Sequence, residues 1–193
     1  MLPMPQLLTS VGVFATFGYL SRSRYMKIFL GALLILAYTM SFANYLSNYA
    51  TSYKYNYSQS WQYGYKQVVG FLKENYTSYD KIIVTKKYGE PHEFILFYWP
   101  WVPTSYHQDK NLNRFHQSQW YWVDGFDKYY FVNDWQIRGE NPKVFELESK
   151  FRVDCTTSKC LLVTSPGNVP PGWSKLEEIR FLDDEVAFEI YEN

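Results

Sequence analysis

An uncharged apolar run near the N-terminus constrains the fold of this chain most. Residues 28–46 read IFLGALLILAYTMSFANYL, which is 19 residues without a charge. A helix of that length rises roughly 30 Å and matches the hydrocarbon core of a bilayer. Residues 5–21 are also uncharged, although Pro5 and several small or polar residues weaken the run. The pattern predicts a transmembrane helical hairpin with spans at about residues 5–21 and 28–46.

The connection between the two runs is basic. Arg22, Arg24 and Lys27 lie within the loop of residues 22–27, and the positive-inside rule places such a loop in the cytoplasm. The second span then runs outward, and residues 54–193 form a domain on the extracytoplasmic side of the plasma (inner) membrane. A signal peptide cleaved after residues 41–43 is the alternative, and it leaves the domain outside as well. An apolar stretch ahead of the cations is not typical of the N-terminal region of a signal peptide. The sequence therefore favours an uncleaved membrane anchor.

The outer domain, residues 54–193, is weakly acidic. The chain has a formal net charge of zero, and residues 1–27 hold three cations and no acid, so the rest carries about 0 − 3 = −3. Nucleic-acid binding requires a concentrated basic face. The sequence therefore predicts no nucleic-acid partner, and we expect the lipid bilayer to be the first partner of the chain.

Short apolar runs alternate with helical patterns in the outer domain. Alternation of this kind predicts an α/β fold, a small mixed sheet with flanking helices, preceded by the transmembrane hairpin. Helices are predicted over residues 58–77, capped by Ser58 or Ser60, and over residues 92–99 after Pro91, with a loop and a short helix over 104–119. Strands are predicted over residues 81–85, 127–133, 161–164, 173–181 and 185–191.

Aromatic residues make up 21% of the chain, and two Trp pairs stand out among them. Trp99 and Trp101 flank a proline, whereas Trp120 and Trp122 should share one face of a strand. Rings of this kind stack on sugars or enter lipid headgroups, and the alternative is an aromatic core. Asp124 follows the second pair and could accept hydrogen bonds from sugar hydroxyls.

Glu90, His92 and Glu93 form the densest group of ionisable side chains. Two carboxylates and an imidazole can move a proton or hold a metal, and the alternative is a helix N-terminus that the acids complement. The second His of a zinc-protease helix is missing from this stretch. We assign no catalytic residue, no metal site and no cofactor to the chain.

Two further features complete the candidate sites. Cys155 and Cys160 have too few companion ligands for a zinc site, so they form either a small disulfide outside the cytoplasm or two unlinked thiols. Residues 165–168, SPGN, follow an apolar strand, where α/β sheets often bind ligands. This loop has neither the glycine pattern nor the lysine of a phosphate-binding loop.

Three segments together resemble a known family. SQSWQYGYKQVVGFLKENYTSYDKIIVTKKYGEPHEFILFYWPW, WYWVDGFDKYYFVNDW and LLVTSPGNVPPGW cover most of the outer domain. They resemble the C-terminal extracytoplasmic region of prokaryotic GT-C membrane glycosyltransferases, the protein O-mannosyltransferase-like and aminoarabinose-transferase-like enzymes that use polyprenyl-phosphate sugars. The apolar N-terminal segment is similar to the last spans of such an enzyme.

The resemblance implies a role in glycosyl transfer without the catalytic centre. The family's catalytic acids lie in its first extracytoplasmic loop, whereas the first acid of this chain is Glu74, so no catalytic residue carries over. The chain is then a C-terminal part or truncated relative that helps to position lipid-linked sugar or glycan acceptor, with a separate N-terminal membrane domain as partner, and is inactive alone. The competing hypotheses are a stand-alone anchored carbohydrate- or envelope-binding module and an anchored hydrolase that uses Glu90, His92 and Glu93.

Overall fold

The computed structural model describes residues 4–20, 23–137 and 143–193. The chain divides into two units, Met1–Tyr53 and Lys54–Asn193. Residue 21, at the end of the first predicted span, and residue 22, at the start of the predicted cytoplasmic loop, lie outside the described residues.

The first unit is helical. Helix α1 is Met4–Leu20, helix α2 is Arg24–Asn48, and a π-helical turn follows at Tyr49–Tyr53. Hydroxyl groups along these helices donate to the carbonyl oxygen four residues earlier, at 2.7 Å for Thr9 and 2.8 Å for Thr39. These hydroxyl groups are therefore satisfied within the helix itself, which a lipid environment would require.

One described helix is long and apolar enough to cross a membrane. It covers Arg24–Asn56, 33 residues, and by length and composition it qualifies as a span. Helix α1, with 17 residues, is not among the candidate spans. The first span of the predicted hairpin, at about residues 5–21, therefore has no counterpart among the candidate spans of the described residues and stays a prediction.

The second unit is a mixed α/β domain, which confirms the α/β part of the predicted fold class. A seven-stranded sheet has the order β2-β3-β4-β1-β7-β9-β8, and β5 pairs with β6 in a separate two-stranded sheet. The strands are β1 Lys81–Thr85, β2 Asn113–Gln117, β3 Trp120–Phe126, β4 Tyr129–Val132, β5 Val144–Glu146, β6 Arg152–Asp154, β7 Cys160–Thr164, β8 Ser174–Arg180 and β9 Val186–Glu192. The helices are α3 Lys54–Asn56, α4 Tyr65–Asn75, α5 Pro91–Tyr98, α6 Pro103–His107 and α7 Asp134–Ile137, with a 3₁₀ turn at Tyr76–Ser78.

Strand β1 lies at the centre of the sheet. It pairs in parallel with β4 on one side and with β7 on the other, and the remaining pairs are antiparallel. Its apolar run, KIIVT, suits a strand with both faces covered, because four of its five residues are buried. The carboxyl ends of β1, β4 and β7 therefore meet at one edge of the sheet.

Each face of the sheet has its own core. Helix α4 covers one face with Val68, Val69 and Leu72, and α5 adds Ile95 to the same cluster. The β5–β6 hairpin and Trp173 cover the other face. Cys155 and Cys160 are joined in a disulfide on this second face, with both side chains fully buried.

Helix α4 begins later than predicted. Neither Ser58 nor Ser60 is its cap, because the helix starts at Tyr65 after Gly64, whose φ is +108°. A left-handed residue cannot continue an α-helix. A Cβ at Gly64 would also meet a ring carbon of Phe188 at 3.0 Å, so glycine is needed here.

The strands and helices of strong local pattern are confirmed, and those of weak pattern were missed. Strands β1, β4, β7, β8 and β9 and helix α5 lie where they were predicted, and the short helix predicted within residues 104–119 is α6. The same segment also contains β2, whose residues are exposed or half-buried and lack a clear alternation. Strands β5 and β6 have three residues each, and α7 has four, too short for a periodic signal.

Candidate functional site

A crevice lies where the three parallel strands end. The loops after β1, β4 and β7 meet there, and the chain crosses from one side of β1 to the other between β4 and β7. Ligands of open α/β sheets bind at such a switch point, outside the carboxyl ends of the strands. The crevice has a volume of about 500 Å³ and is lined by Lys87, Tyr88, Asp134, Trp135, Ser165, Pro166 and Asn168.

Asp134 ties the three strand ends together. Its carboxylate accepts hydrogen bonds from Thr85 Oγ1 at 2.6 Å and from Ser165 Oγ at 2.7 Å. Asn168 Nδ2 in turn donates to Ser165 Oγ at 2.6 Å. The ends of the three strands therefore share a continuous network of four polar side chains that fixes the floor of the crevice.

The loop after β7 is also held by side chains of β9, the neighbouring strand in the sheet, and of β8. The backbone N–H of Gly167 donates to Glu189 Oε2 at 3.0 Å, and Lys175 Nζ lies 2.7 Å from Glu189 Oε1. Burial acts to raise the pKa of Glu189, but the hydrogen bonds from Lys175, Gly167 and Tyr191 outweigh it and lower the pKa. The carboxylate stays ionised at neutral pH and anchors the loop.

Tyr88 adds a hydrogen-bond donor to the crevice. Burial, together with the charges of Asp134 and Glu185, raises the pKa of Tyr88 to about 12. The ring is held edge-on against Phe181 and Phe188, with centroids 5.4 and 5.1 Å away. Its hydroxyl is therefore protonated at physiological pH and available as a hydrogen-bond donor.

Trp135 supplies a flat apolar surface beside these polar groups. Its side chain is 70% exposed although it follows directly on the network carboxylate. An open indole face next to a carboxylate, an amide, a phenol and an ammonium group suits a ligand with apolar faces and hydroxyl edges. The arrangement can bind and orient such a ligand.

Glu90 and His92 approach each other, while Glu93 points away. His92 Nδ1 lies 3.4 Å from Glu90 Oε2, but the two atoms are not in hydrogen-bond geometry. Both atoms are buried, and neither has a hydrogen-bond partner in the described part of the chain. Glu93 is exposed in the first turn of α5. The three groups predicted as a cluster do not converge, because consecutive positions of a helix turn face different directions.

Trp99 and Trp101 are half-buried and pack against the core. Their rings meet at 5.7 Å, and Trp101 also meets Phe126 at 5.5 Å. Both belong with the aromatic cluster under α5. This geometry favours the aromatic-core interpretation for this pair.

Trp120 and Trp122 lie on one strand, β3, as hypothesised. Trp120 is exposed and Trp122 is half-buried. They therefore remain available for contacts outside the chain, but they do not line the crevice.

Asp124 is fully buried and engaged. One oxygen contacts Lys86 Nζ, and the other accepts the backbone N–H of Ser149 at 2.6 Å. Lys86 is buried too, and it reaches Glu148 at 2.7 Å. The geometry gives no support to the prediction that Asp124 contacts a ligand, because its side chain has no surface that a ligand can reach.

The sequence signalled only part of this site. The loop of residues 165–168 was singled out, whereas Thr85, Tyr88, Asp134 and Trp135 were missed. Each of the four ends or follows a strand that was predicted. Only the parallel pairing of the strands brings these four residues together. That pairing is a non-local contact, so no local sequence pattern could have identified them as a site.

No metal ligand set is found in the part of the chain that the structure describes. Among residues 4–20, 23–137 and 143–193, no group of three or more His, Cys, Asp or Glu side chains could hold a metal ion. Comparison with protein-family models, with curated proteins and with solved structures finds no match to this chain.

Proposed function

We propose that the outer domain binds a carbohydrate in the crevice at the ends of β1, β4 and β7. Through that binding it positions the sugar or its acceptor during glycosyl transfer from a polyprenyl-phosphate donor. The resemblance to the C-terminal region of GT-C glycosyltransferases supports this role. Catalysis then comes from acids in a separate N-terminal membrane domain, and this part is inactive alone, without a cofactor of its own.

The observation that carries the proposal is the exposed Trp135 ring beside Asp134 and Asn168. A sugar ring has an apolar C–H face and a rim of hydroxyls. An indole accepts the face, and the carboxylate, the amide and the Tyr88 hydroxyl accept or donate to the rim. The network through Thr85 and Ser165 holds these groups before a ligand arrives, which lowers the entropic cost of binding.

The membrane part of the proposal rests on the N-terminal segment. The candidate span Arg24–Asn56 has its cations, Arg22, Arg24 and Lys27, at its N-terminal end, so the positive-inside rule favours the outer side of the plasma (inner) membrane for the outer domain. The disulfide between Cys155 and Cys160 agrees with an oxidising compartment. A second span at about residues 5–21 would complete the hairpin.

Binding of simple sugars tests the proposal. We expect one of a panel of methyl glycosides to bind the full chain in lipid nanodiscs, measured by isothermal titration calorimetry. Trp135→Ala removes the stacking surface, worth about 0.5–1.5 kcal/mol, and we expect binding up to about tenfold weaker. Trp61→Ala is the matched control, because Trp61 is similarly exposed, at 68% against 70%, and does not line the crevice.

Two outcomes would overturn the proposal. One is that no glycoside binds, even at concentrations well above the dissociation constants of weak carbohydrate sites. The other is binding that Trp135→Ala and Trp61→Ala change equally, which would place the ligand elsewhere.

The stand-alone carbohydrate- or envelope-binding module is the second candidate. It is favoured by the fact that residues of the second unit alone line the crevice. Equal affinity for a long envelope glycan with and without a polyprenyl-phosphate sugar would favour this module over the glycosyltransferase role.

A further inference from the structure

The β2–β3 hairpin ends in a tight, aromatic turn. Ser118 and Gln119 both have positive φ, +54° and +69°, which is the geometry of a two-residue turn that follows the twist of its strands. The register pairs Gln117 with Trp120 and Phe115 with Trp122. The hairpin tip, residues 117–122, is therefore a defined structure rather than a loose loop.

The hairpin tip exposes rings on both faces of the ribbon. Trp120 is 70% exposed and Tyr121 is 72% exposed, and adjacent strand residues point to opposite faces. Trp122 lies behind Trp120, and its Nε1 donates to the Gln117 carbonyl oxygen at 3.2 Å. Large exposed rings cost free energy in water unless another phase or partner covers them.

The segment that carries these rings has cations and no acids. No acidic residue occurs between Asp109 and Asp124, while Lys110 and Arg114 lie in that stretch. The Arg114 guanidinium lies 5.6 Å from the centre of the Tyr121 ring. A cation beside a Tyr and a Trp on a polar Ser-Gln turn matches the chemistry of an anionic lipid headgroup region.

We propose that the hairpin tip docks into the headgroup region of a bilayer that contains anionic lipid. The same chain carries the candidate span Arg24–Asn56, and a tethered domain meets a bilayer at high effective concentration. The end of a hairpin is convex, whereas sugar sites are concave, so a lipid surface suits these rings better than a sugar does. Docking of the hairpin tip does not require sugar binding in the crevice.

Quenching of Trp120 by brominated lipid tests the docking. The full chain is placed in nanodiscs of phosphatidylglycerol and phosphatidylcholine, with bromines near the upper acyl chain. The emission of Trp120 is the difference between the wild type and Trp120→Phe. We expect it to lose roughly half or more of its intensity, because interfacial Trp rings reach that depth. We also expect it to resist aqueous iodide.

A matched pair of turn variants tests the charge. Gln119→Glu puts a negative charge at the tip, and Gln119→Lys puts a positive charge at the same backbone position. We expect the first to reduce the bromolipid quenching of Trp120 and the second to keep it. Full emission of Trp120 in brominated discs together with strong iodide quenching would overturn the proposal, and so would equal quenching in both Gln119 variants.

Discussion

Lys86→Met lowers the free energy of unfolding of the outer domain by about 3–5 kcal/mol, because it leaves a buried charge without its partner. Lys86 and Asp124 contact each other with both side chains out of water. Methionine keeps the apolar stem and removes the ammonium group that compensates Asp124. The measurement is a urea titration of the full chain followed by Trp emission, which reports the second unit alone, because all seven Trp residues lie there.

Two controls separate the buried pair from ordinary ion pairs. Lys175→Met also removes a lysine that bonds two carboxylates, Glu178 and Glu189, but Lys175 is well exposed, so we expect only a small change in the urea midpoint. Adding Asp124→Leu to Lys86→Met should restore part of the lost stability, because no isolated charge remains. Equal losses for Lys86→Met and Lys175→Met would contradict the account.

Asp134→Ala has the second large effect, and it acts on stability and binding together. Thr85 and Ser165 are buried hydroxyls that donate to this carboxylate, and each loses its acceptor. A buried donor without an acceptor costs about 1–3 kcal/mol, so for the two hydroxyls we expect a loss of about 2–6 kcal/mol in the urea titration. Sugar binding should fall more steeply than for Trp135→Ala, because the floor of the crevice loses its order.

Asp134→Asn is the informative companion. Its side-chain oxygen still accepts one hydroxyl, and the other hydroxyl can turn to accept from the amide. We expect most of the stability to return while the affinity for a sugar stays reduced, since the charge is gone. An Asp134→Ala chain as stable as the wild type would mean that the carboxylate does not hold the strand ends.

Local pattern predicted those parts of the fold whose residues carry their own signal. The run KIIVT predicted the central strand, and Pro91 correctly marked the start of α5. Strand β2, NRFHQ, gave no such signal, because an edge strand with exposed faces needs no apolar alternation. Its place comes from pairing with β3, which is a non-local contact.

The candidate site shows the same division between local and non-local information. Glu90, His92 and Glu93 are close in sequence, yet the helix separates Glu93 from the other two. Asp124 looked available beside two Trp residues, yet it is buried in contact with Lys86, which follows β1 and is far from Asp124 in the sequence. Asp134 and Trp135 were not predicted as site residues, because their role in the crevice depends on where β7 and β1 end.

Fluorine NMR of the full chain labelled with 5-fluorotryptophan tests the central claim most directly. The chain has seven Trp residues, and Trp135→Phe assigns the resonance of the crevice. During titration with the best-binding methyl glycoside, we expect the Trp135 resonance to shift and saturate while the Trp120 resonance stays in place. A Trp135 resonance that stays unchanged at saturating glycoside, with Trp120 or another Trp shifting instead, would contradict a carbohydrate site at the ends of β1, β4 and β7.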